Sequence, residues 1–401
     1  MATKVLRIHN RIHLGGPIYN VAYLSKYMAP EFETKLLLGP VLPDEVSAEH
    51  LLKELDLEYT ILPDMRRSVN PFLDIKSFFK VRKIIKEFKP DIVHTHTAKA
   101  GAVGRLAAWS CGVPIIIHTF HGHVFHSYFS KPMSWAIKIF ERFLARLSTL
   151  IVTISEVQKD EIGSKYKIAK LSKIRVVPLG LDLDKFTINP IEKRQKFRSQ
   201  YGLQEDETAM ALIGRFAPIK NHMLLFEAIK LIKENHPERF EKLIIFLVGD
   251  GELKVGFQEK LNSYAIPFSE KARNFTGGGI VFTSWIKQVD EVMTGFDVVV
   301  LTSHNEGTPL SLIESQAAGL PVISTRVGGV EDVVVHNKTG IIVPSQDAVS
   351  LTNAMVRMIE NKEERIKMGH AASVWAHSKF SYRRLVSDMR AVYESELDKL
   401  N

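Results

Sequence analysis

Residues 297–325 read DVVVLTSHNEGTPLSLIESQAAGLPVIST. Asp297–Leu301 is a short apolar run rich in β-branched residues, and Pro321–Thr325 is a second. Between them lies a loop of polar and small residues, and then a helix that starts near Pro309 or Leu310. Proline suits the first helical turn, where an N–H has no partner. A strand, a helix and a second strand in so short a span form a βαβ unit, which implies parallel strands with a helix against the sheet.

The same alternation extends through the rest of the chain. Downstream it continues with Gly340–Val343, and upstream with Ala209–Ile213, Leu243–Val248 and Ile280–Thr283. Further upstream, strands are expected at Lys4–Ile8, Thr34–Leu38, Glu58–Leu62, Asp91–His94, Pro114–Thr119, Thr149–Ile154 and Ile174–Pro178. Helical patterns separate most of them, such as Ile75–Phe88 and Met133–Leu147. The alternation pauses over residues 180–206, GLDLDKFTINPIEKRQKFRSQYGLQED, which is polar and reads as a linker with a short helix. Glu363–Leu400 is helical with few strand signals, and is expected to pack back on the first domain. The chain therefore reads as an α/β protein of two parallel-sheet domains with a boundary near 180–190. Open parallel sheets bind ligands beyond the carboxyl ends of their strands. Two such sheets facing each other would hold a ligand in the cleft between them.

Composition supports a globular protein and narrows its chemistry. The 401 residues are 45% hydrophobic and 24% charged. The single cysteine, Cys111, excludes an intramolecular disulfide framework, excludes a cysteine zinc site, and fits a reducing compartment. Residues 1–8, MATKVLRI, read as a first strand rather than a secretory signal. The longest stretch without acidic residues, Lys or Arg, Leu106–Ser130, contains four histidines and Pro114, and is a poor membrane span. The formal charge of +8 reads either as ordinary solubility or as attraction to anionic partners, such as nucleotide phosphates or an anionic membrane. The cations are scattered and no nucleic-acid motif is present, so nucleic acid is not an expected partner.

Four groups of residues at strand exits carry chemistry. The first is His304-Asn305-Glu306-Gly307-Thr308-Pro309-Leu310-Ser311-Leu312-Ile313-Glu314. Free N–H groups and the dipole at a helix start suit a diphosphate. Glu314 lies on the same helix face as Leu310 and can accept from a ribose diol, and Glu306 can accept from sugar hydroxyls. The plain alternative is a capped helix with two surface glutamates. The second group is Gly214-Arg215-Phe216-Ala217-Pro218-Ile219-Lys220, whose two cations suit a leaving diphosphate. The third is Gly15-Gly16-Pro17, a turn that lets backbone approach a ligand but lacks a full dinucleotide fingerprint. The fourth is His118-Thr119-Phe120-His121-Gly122-His123, with His94 and His96 on a neighbouring strand. These histidines suit sugar hydroxyls or proton transfer. A metal site is not expected, because no acidic residue is interleaved.

In order along nearly the whole chain, these residues resemble the glycosyltransferase family 4 group of the GT-B fold. The matching elements are Gly15-Gly16, Thr119-Phe120-His121-Gly122, Gly180-Leu181-Asp182 with Phe186, Gly214-Arg215 with Lys220, Val248-Gly249-Asp250-Gly251, Glu306 to Glu314, and Val327-Gly328-Gly329-Val330-Glu331 with Gly340. The resemblance implies two Rossmann-like domains: an acceptor-binding one at 1–182, a donor-binding one at 183–380, and a closing helix at 381–401 that crosses back to the first. It implies metal-independent transfer, with retention, of a hexose or N-acetylhexosamine from a nucleotide sugar, with UDP the expected nucleotide. No cofactor is implied.

In that reading Arg215 and Lys220 bind the diphosphate, alongside Gly214 and Gly249. The segment Gly307, Thr308, Pro309 and Leu310 holds the phosphates. Glu306 contacts the transferred sugar and Glu314 the ribose. His121 touches the donor sugar, and Gly15 and Gly16 approach the diphosphate. Backbone near Ile286 holds the base, although Ser284 stands where the family often has glycine.

The resemblance also implies a glycan or lipid-linked acceptor and a cytoplasmic enzyme at the inner membrane face. Phe125–Leu147 reads either as an amphipathic helix on an anionic membrane or as an ordinary domain helix. A UDP-sugar epimerase of similar fold is the alternative function. A glucan phosphorylase needs a much longer chain, a mere sugar-nucleotide binder needs neither Arg215 nor Lys220, and a nicotinamide oxidoreductase needs the missing fingerprint.

Overall fold

The computed structural model describes residues 2–13, 15–42, 47–66, 70–122 and 130–400. They form two compact units. One comprises Met1–Leu181 with Phe380–Asn401, and the other Asp182–Lys379.

The first unit is built on a parallel sheet of β1 (Thr3–His9), β2 (Phe32–Leu38), β3 (Tyr59–Ile61), β4 (Ile92–His96), β5 (Ile115–Phe120), β6 (Leu150–Thr153) and β7 (Ile174–Val176). Their spatial order is β3-β2-β1-β4-β5-β6-β7. Both faces are buried, so the strands are apolar almost throughout rather than alternating. Alternate residues still part to opposite faces: Val5 joins Ile92, Ile115 and Val152 in one core, while Leu6 and Ile8 join Val93 and Ile116 in the other.

The C-terminal helix Tyr382–Leu397 closes the first of these cores with Leu385, Val386, Met389 and Tyr393. Gly180 is required for its approach, since a Cβ there would lie 2.6 Å from the Leu385 Cβ and 2.8 Å from the Tyr382 Cα. The Tyr382 N–H donates to the Leu181 carbonyl at 2.9 Å. Deeper in, the fully buried Arg7 guanidinium donates to Tyr393 Oη at 2.9 Å and Ser25 Oγ at 3.1 Å, and lies 3.3 Å from His94 Nδ1.

The second unit carries β8 (Thr208–Ile213), β9 (Leu243–Val248), β10 (Phe268–Glu270), β11 (Gly279–Ser284), β12 (Val298–Leu301), β13 (Val322–Thr325) and β14 (Gly340–Val343). They are again all parallel, in the order β10-β11-β9-β8-β12-β13-β14. In each sheet the connections diverge at two central strands, β1 and β4 in one and β8 and β12 in the other, and in the second sheet β10 lies outside β11 at the edge. Those are the topological switch points, where adjacent connections leave to opposite sides and open a crevice at the carboxyl ends.

Every expected strand is present, and three details differ from the sequence reading. The edge strand β10 was not expected, because three residues among polar neighbours carry no periodic signal. The stretch 180–206 is more than a linker: Leu183, Phe186 and Phe197 are buried, and Phe197 stacks edge-on against Phe296. The helical tail is two helices, Lys362–Phe380 and Tyr382–Leu397. They are broken at Ser381, whose extended backbone lets its hydroxyl accept from the Arg383 N–H.

Replacing Tyr393 by Phe removes a hydroxyl from a buried cluster of Arg7 and His94. The expected loss is about 1–3 kcal/mol, the cost of stranding buried polar partners. Urea unfolding with hydrogen exchange should show the first unit weakened and the second unchanged.

Candidate functional site

In the second unit, the exits of β8 and β12 lie side by side at the switch point and are bonded together. The His304 N–H donates to the Ile219 carbonyl at 2.8 Å, and Thr302 Oγ1 donates to the Lys220 carbonyl at 3.0 Å. Lys220 Nζ donates to Glu306 Oε1 at 2.6 Å, and Ser303 Oγ donates to the same oxygen at 2.5 Å. The Lys220 and Glu306 side chains are 23% and 12% exposed, so bulk salt screens the pair weakly. The lysine stem runs along Gly214, where a Cβ would already sit 3.4 Å from Lys220 Cε. Among the described residues, Glu306 Oε2 has no hydrogen-bond partner, which leaves it open to a ligand.

Beyond Glu306 the chain enters the helix Leu310–Ala317, which has no side-chain cap and no acid in its first turn. The N–H groups of Gly307, Thr308, Leu310 and Ser311 donate to no group among the described residues. Pro309 has no N–H, so it shapes the cradle without donating to it. Ser311 takes its place as a donor that the sequence reading missed. Four unpaired amides, the positive helix end and one cation are an arrangement that suits an anion such as a diphosphate.

Glycines hold this loop in place. Gly328 has a left-handed φ of 48°, and a Cβ there would lie 1.8 Å from the Glu306 carbonyl oxygen. The neighbouring Gly329 N–H donates to that carbonyl at 3.2 Å. Gly249, at the β9 exit, has a φ of 149°, and a Cβ would lie 2.0 Å from the Gly214 carbonyl oxygen. Any side chain at either position would push the ion pair or the cradle out of place.

Glu314 lies one turn into the helix, with part of its surface open to solvent and no hydrogen-bond partner among the described residues. Burial of the carboxyl raises its pKa to about 7; Lys185 pulls it down and Asp290 pushes it up. It thus stands between its neutral and charged forms near neutrality. Ile286 lines a shallow pocket of about 260 Å³ with Phe197, Gln200 and Lys287. Just before it, Ser284 adopts a left-handed φ of 61° at a bulge against β9, and its carbonyl accepts from the Gly249 N–H at 3.1 Å. The position favours glycine, and this chain holds a serine there at a steric cost of about 1 kcal/mol.

Arg215 does not join this group. It pairs with Glu252 at 3.2 Å, with side chains 68% and 50% exposed. The structure therefore brings together Gly214, Lys220, Gly249, Glu306 and the 307–311 amides, and leaves Arg215 outside them.

In the first unit, His9 ends β1 and pairs in register with His96 on β4. His96 Nδ1 lies 3.0 Å from His121 Nε2, and the two rings stack at 5.2 Å. His94 Nδ1 is 2.6 Å from Tyr393 Oη and His94 Nε2 is 2.7 Å from Thr119 Oγ1. Since Tyr393 Oη already accepts from Arg7, it donates to His94 Nδ1, and His94 Nε2–H donates to Thr119.

Burial lowers the pKa of His121 to about 3 and of His9 to about 4, and drives His94, His96 and His118 well below their usual range. The Arg7 cation adds to this at His94. All five imidazoles are neutral at physiological pH and serve as hydrogen-bonding groups. The Nε2 atoms of His9 and His96 are buried and have no partner among the described residues.

His118 points inward. Its Nδ1 lies 2.9 Å from Thr95 Oγ1, and a Cβ on Gly101 would lie 2.4 Å from its ring, so it packs the helix Ala98–Ser110 onto the sheet. His9 was not anticipated; its signal was its place at the end of the first strand, where the strand order reverses. Gly15 and Gly16 open the helix Gly16–Tyr27. A Cβ on Gly15 would make only ordinary contacts, so the protein's own packing does not demand glycine there. His123, His126 and the start of the 125–147 stretch lie outside the described residues. Among the described residues, no three His, Cys, Asp or Glu side chains are grouped to hold a metal ion.

Comparison with known proteins agrees with the fold and identifies the family. Residues 193–375 match the family model "Glycosyl transferases group 1", and residues 24–185 match "Glycosyltransferase Family 4". A UDP-Gal:alpha-D-GlcNAc-diphosphoundecaprenol alpha-1,3-galactosyltransferase of Escherichia coli is 33% identical over 303 residues, covering 75% of this chain and 74% of that protein. A glycosyltransferase from Rickettsia africae ESF-5 superposes with a TM-score of 0.79 at 19% identity, covering 99% of each chain. Anabaena Alr3699/HepE, solved in complex with UDP, superposes with a TM-score of 0.75 at 17% identity, covering 98% of this chain and 100% of that one. Two Rossmann-like sheets, a cation and a row of free amides at a switch point, and matches to family models in both units together establish that this chain belongs to glycosyltransferase family 4, with the GT-B fold.

Proposed function

We propose that the chain moves a hexose or N-acetylhexosamine from a UDP-linked donor to a lipid-linked glycan acceptor, with retention and without a metal ion. The observation that carries this reading is the set of four unpaired amides beside Lys220 at the second unit's switch point. A diphosphate supplies the negative charge that the set lacks. The family membership supports retention. The E. coli relative named for UDP-Gal and a diphosphoundecaprenol acceptor, and the UDP complex of the Anabaena protein, support the donor and acceptor classes.

In the proposed reaction the bond from the anomeric carbon to the diphosphate oxygen breaks, and a bond to the acceptor oxygen forms on the same face. The acceptor's hydroxyl proton passes to a diphosphate oxygen. Negative charge grows on the leaving group as an oxocarbenium-like sugar develops. Lys220 and the amides of Gly307, Thr308, Leu310 and Ser311 stabilise that charge without reorganising, which is where an enzyme gains most. Glu306 holds Lys220 through Oε1 and offers Oε2 to sugar hydroxyls. Glu314 accepts from the ribose diol, and backbone at Ile286 meets the base. Arg215 can reach the diphosphate only by leaving Glu252. His121, neutral at physiological pH, acts as a hydrogen-bonding group to a sugar hydroxyl rather than as a general acid. A nucleotide-sugar donor and a lone cysteine both fit a cytoplasmic enzyme.

Two outcomes test this reading. Lys220→Ala, in a donor-saturated assay with the melting temperature checked alongside, should cut kcat by about 10²- to 10³-fold, the range for losing one preorganised donor. It should leave acceptor KM nearly unchanged, and an unchanged kcat removes Lys220 from the mechanism. The second concerns pH. Glu314 must be ionised to accept two ribose hydroxyls, and its free carboxyl titrates near 7. Donor binding should therefore weaken as pH falls through 7, by roughly tenfold per unit below it, because each unit multiplies the protonated fraction tenfold. Calorimetric titration with a UDP-sugar between pH 6 and 8 reads this directly. Glu314→Gln should bind weakly and show a flat profile, and an equally steep profile in that variant assigns the titration elsewhere.

A further inference from the structure

The buried polar groups on one face of the first sheet change character between its base and its edge. Residues paired in register on parallel strands point the same way, and so do residues two apart on one strand. Arg7 and His94 therefore share one layer, and His9 and His96 share the next, nearer the carboxyl edge. In the lower layer the Arg7 guanidinium is met by Ser25 and Tyr393, and both His94 nitrogens are bonded. In the upper layer the Nε2 atoms of His9 and His96 are buried and meet no partner among the described residues.

The helix Gly16–Tyr27 adds a third atom of this kind. It joins two parallel strands, so it runs back against them and starts at the carboxyl edge. Leu24 faces the core formed by Val5 and Ile92, and Asn20 lies one turn nearer the edge on the same side. Asn20 is 1% exposed, and its Oδ1 has no partner among the described residues. Few buried polar atoms in a folded protein lack a partner. Three of them at the carboxyl edge of a switch point mark a place where a ligand supplies one.

The tautomer of His9 says what that ligand must bring. Its Nδ1 lies 2.8 Å from the Arg11 carbonyl oxygen. A carbonyl oxygen only accepts, so Nδ1 carries the hydrogen and Nε2 presents a lone pair. The opposite tautomer would set two lone pairs face to face. Burial disfavours the charged ring, so the lone pair persists at physiological pH. The crevice therefore asks for a donor. Arg7 lies one layer below and Arg11 beside the ring, and both repel an ammonium group. Among the described residues no three side chains are grouped to hold a metal ion. A hydroxyl donates without charge, and a sugar carries several.

We propose that His9 is a specificity-determining residue, whose Nε2 accepts from a non-reacting hydroxyl of the acceptor sugar in a crevice completed by Asn20 and His96. This rests on the transfer reading and deepens it, because it states what the acceptor must carry besides the hydroxyl that reacts. The reacting hydroxyl keeps its own route, its proton passing to a diphosphate oxygen. A site built around a buried acceptor rejects a ligand that lacks the matching hydroxyl, since the lone pair is then stranded.

The test measures transfer from UDP-hexoses and UDP-N-acetylhexosamines to N-acetylglucosamine linked through a diphosphate to a short alkyl chain, and to its monodeoxy forms. With the unchanged chain, one monodeoxy acceptor should lose about 10²-fold or more in kcat/KM while donor KM stays the same. His9→Leu should bring the full acceptor down to nearly that level, so that the two differ by no more than about threefold. His9→Gln, whose amide oxygen still accepts, should keep part of the preference. A preference undiminished in His9→Leu overturns the proposal, and so does an equal loss on every acceptor, which is all that a folding defect would give. Nitrogen NMR of the histidine-labelled full chain is the second readout. It should show the hydrogen of His9 on Nδ1 between pH 6 and 9, and a shift of the Nε2 signal with saturating methyl N-acetyl-α-glucosaminide. A hydrogen on Nε2, or no shift, refutes the His9 assignment whether or not sugar is transferred. A chain whose His9 signal responds but which transfers to no acceptor refutes the transfer reading alone.

Discussion

The ion pair between Lys220 and Glu306 is the constraint on which the second unit's chemistry rests. It joins the exits of two adjacent parallel strands whose connections leave to opposite sides, and it does so where water is largely excluded. A buried pair of this kind is not mainly a source of stability, since desolvation offsets much of the attraction. Its value here is position. Lys220 cannot swing into solvent without leaving a carboxylate unpaired, and Glu306 cannot move without breaking its bonds to Ser303 and, through its own carbonyl, to Gly329. A cation and the first of the free amides are thus held together before any ligand arrives, and preorganisation of this kind lowers a barrier without further movement.

The first unit solves a different problem at its own switch point. It places neutral, hydrogen-bonding groups at the carboxyl edge rather than charges. Burial alone would make the histidines neutral, and the Arg7 cation behind His94 reinforces this. Arg7 in turn is held by Tyr393 from the C-terminal helix, so the last helix of the chain reaches the base of the histidine column. A ring that does not ionise can present one donor and one acceptor to a sugar hydroxyl across the whole physiological pH range.

Much of this was legible in the sequence, for physical reasons. Parallel strands buried on both faces read as apolar runs, and Val298–Leu301, short, rich in valine and followed by a glycine- and proline-bearing loop, reads as one of them. Loops at strand exits announce themselves by glycine, proline and charge, which is how Lys220 and Glu306 were found. What the sequence withheld is pairing. Nothing in Gly214–Lys220 says that Lys220 turns toward Glu306 while Arg215 turns to Glu252, because both are cations in one flexible loop. Ser311 escaped notice because its contribution is a backbone amide, which every residue but proline has. His9 escaped because a single histidine at a strand end has no periodic signature. The sequence leaves open which side of the Phe125–Leu147 stretch faces the body, and only Glu141, buried against Arg105 in the helix Lys131–Leu147, settles it.

The central claim is that the amides of Gly307, Thr308, Leu310 and Ser311 hold the donor's diphosphate. Residue-resolved amide hydrogen exchange, with and without a saturating UDP-sugar, tests it most directly. The account predicts marked slowing at those four positions, with little change at solvent-facing amides elsewhere in the second unit. If all four exchange as fast with donor bound as without it, the diphosphate lies elsewhere and the account of the site is wrong.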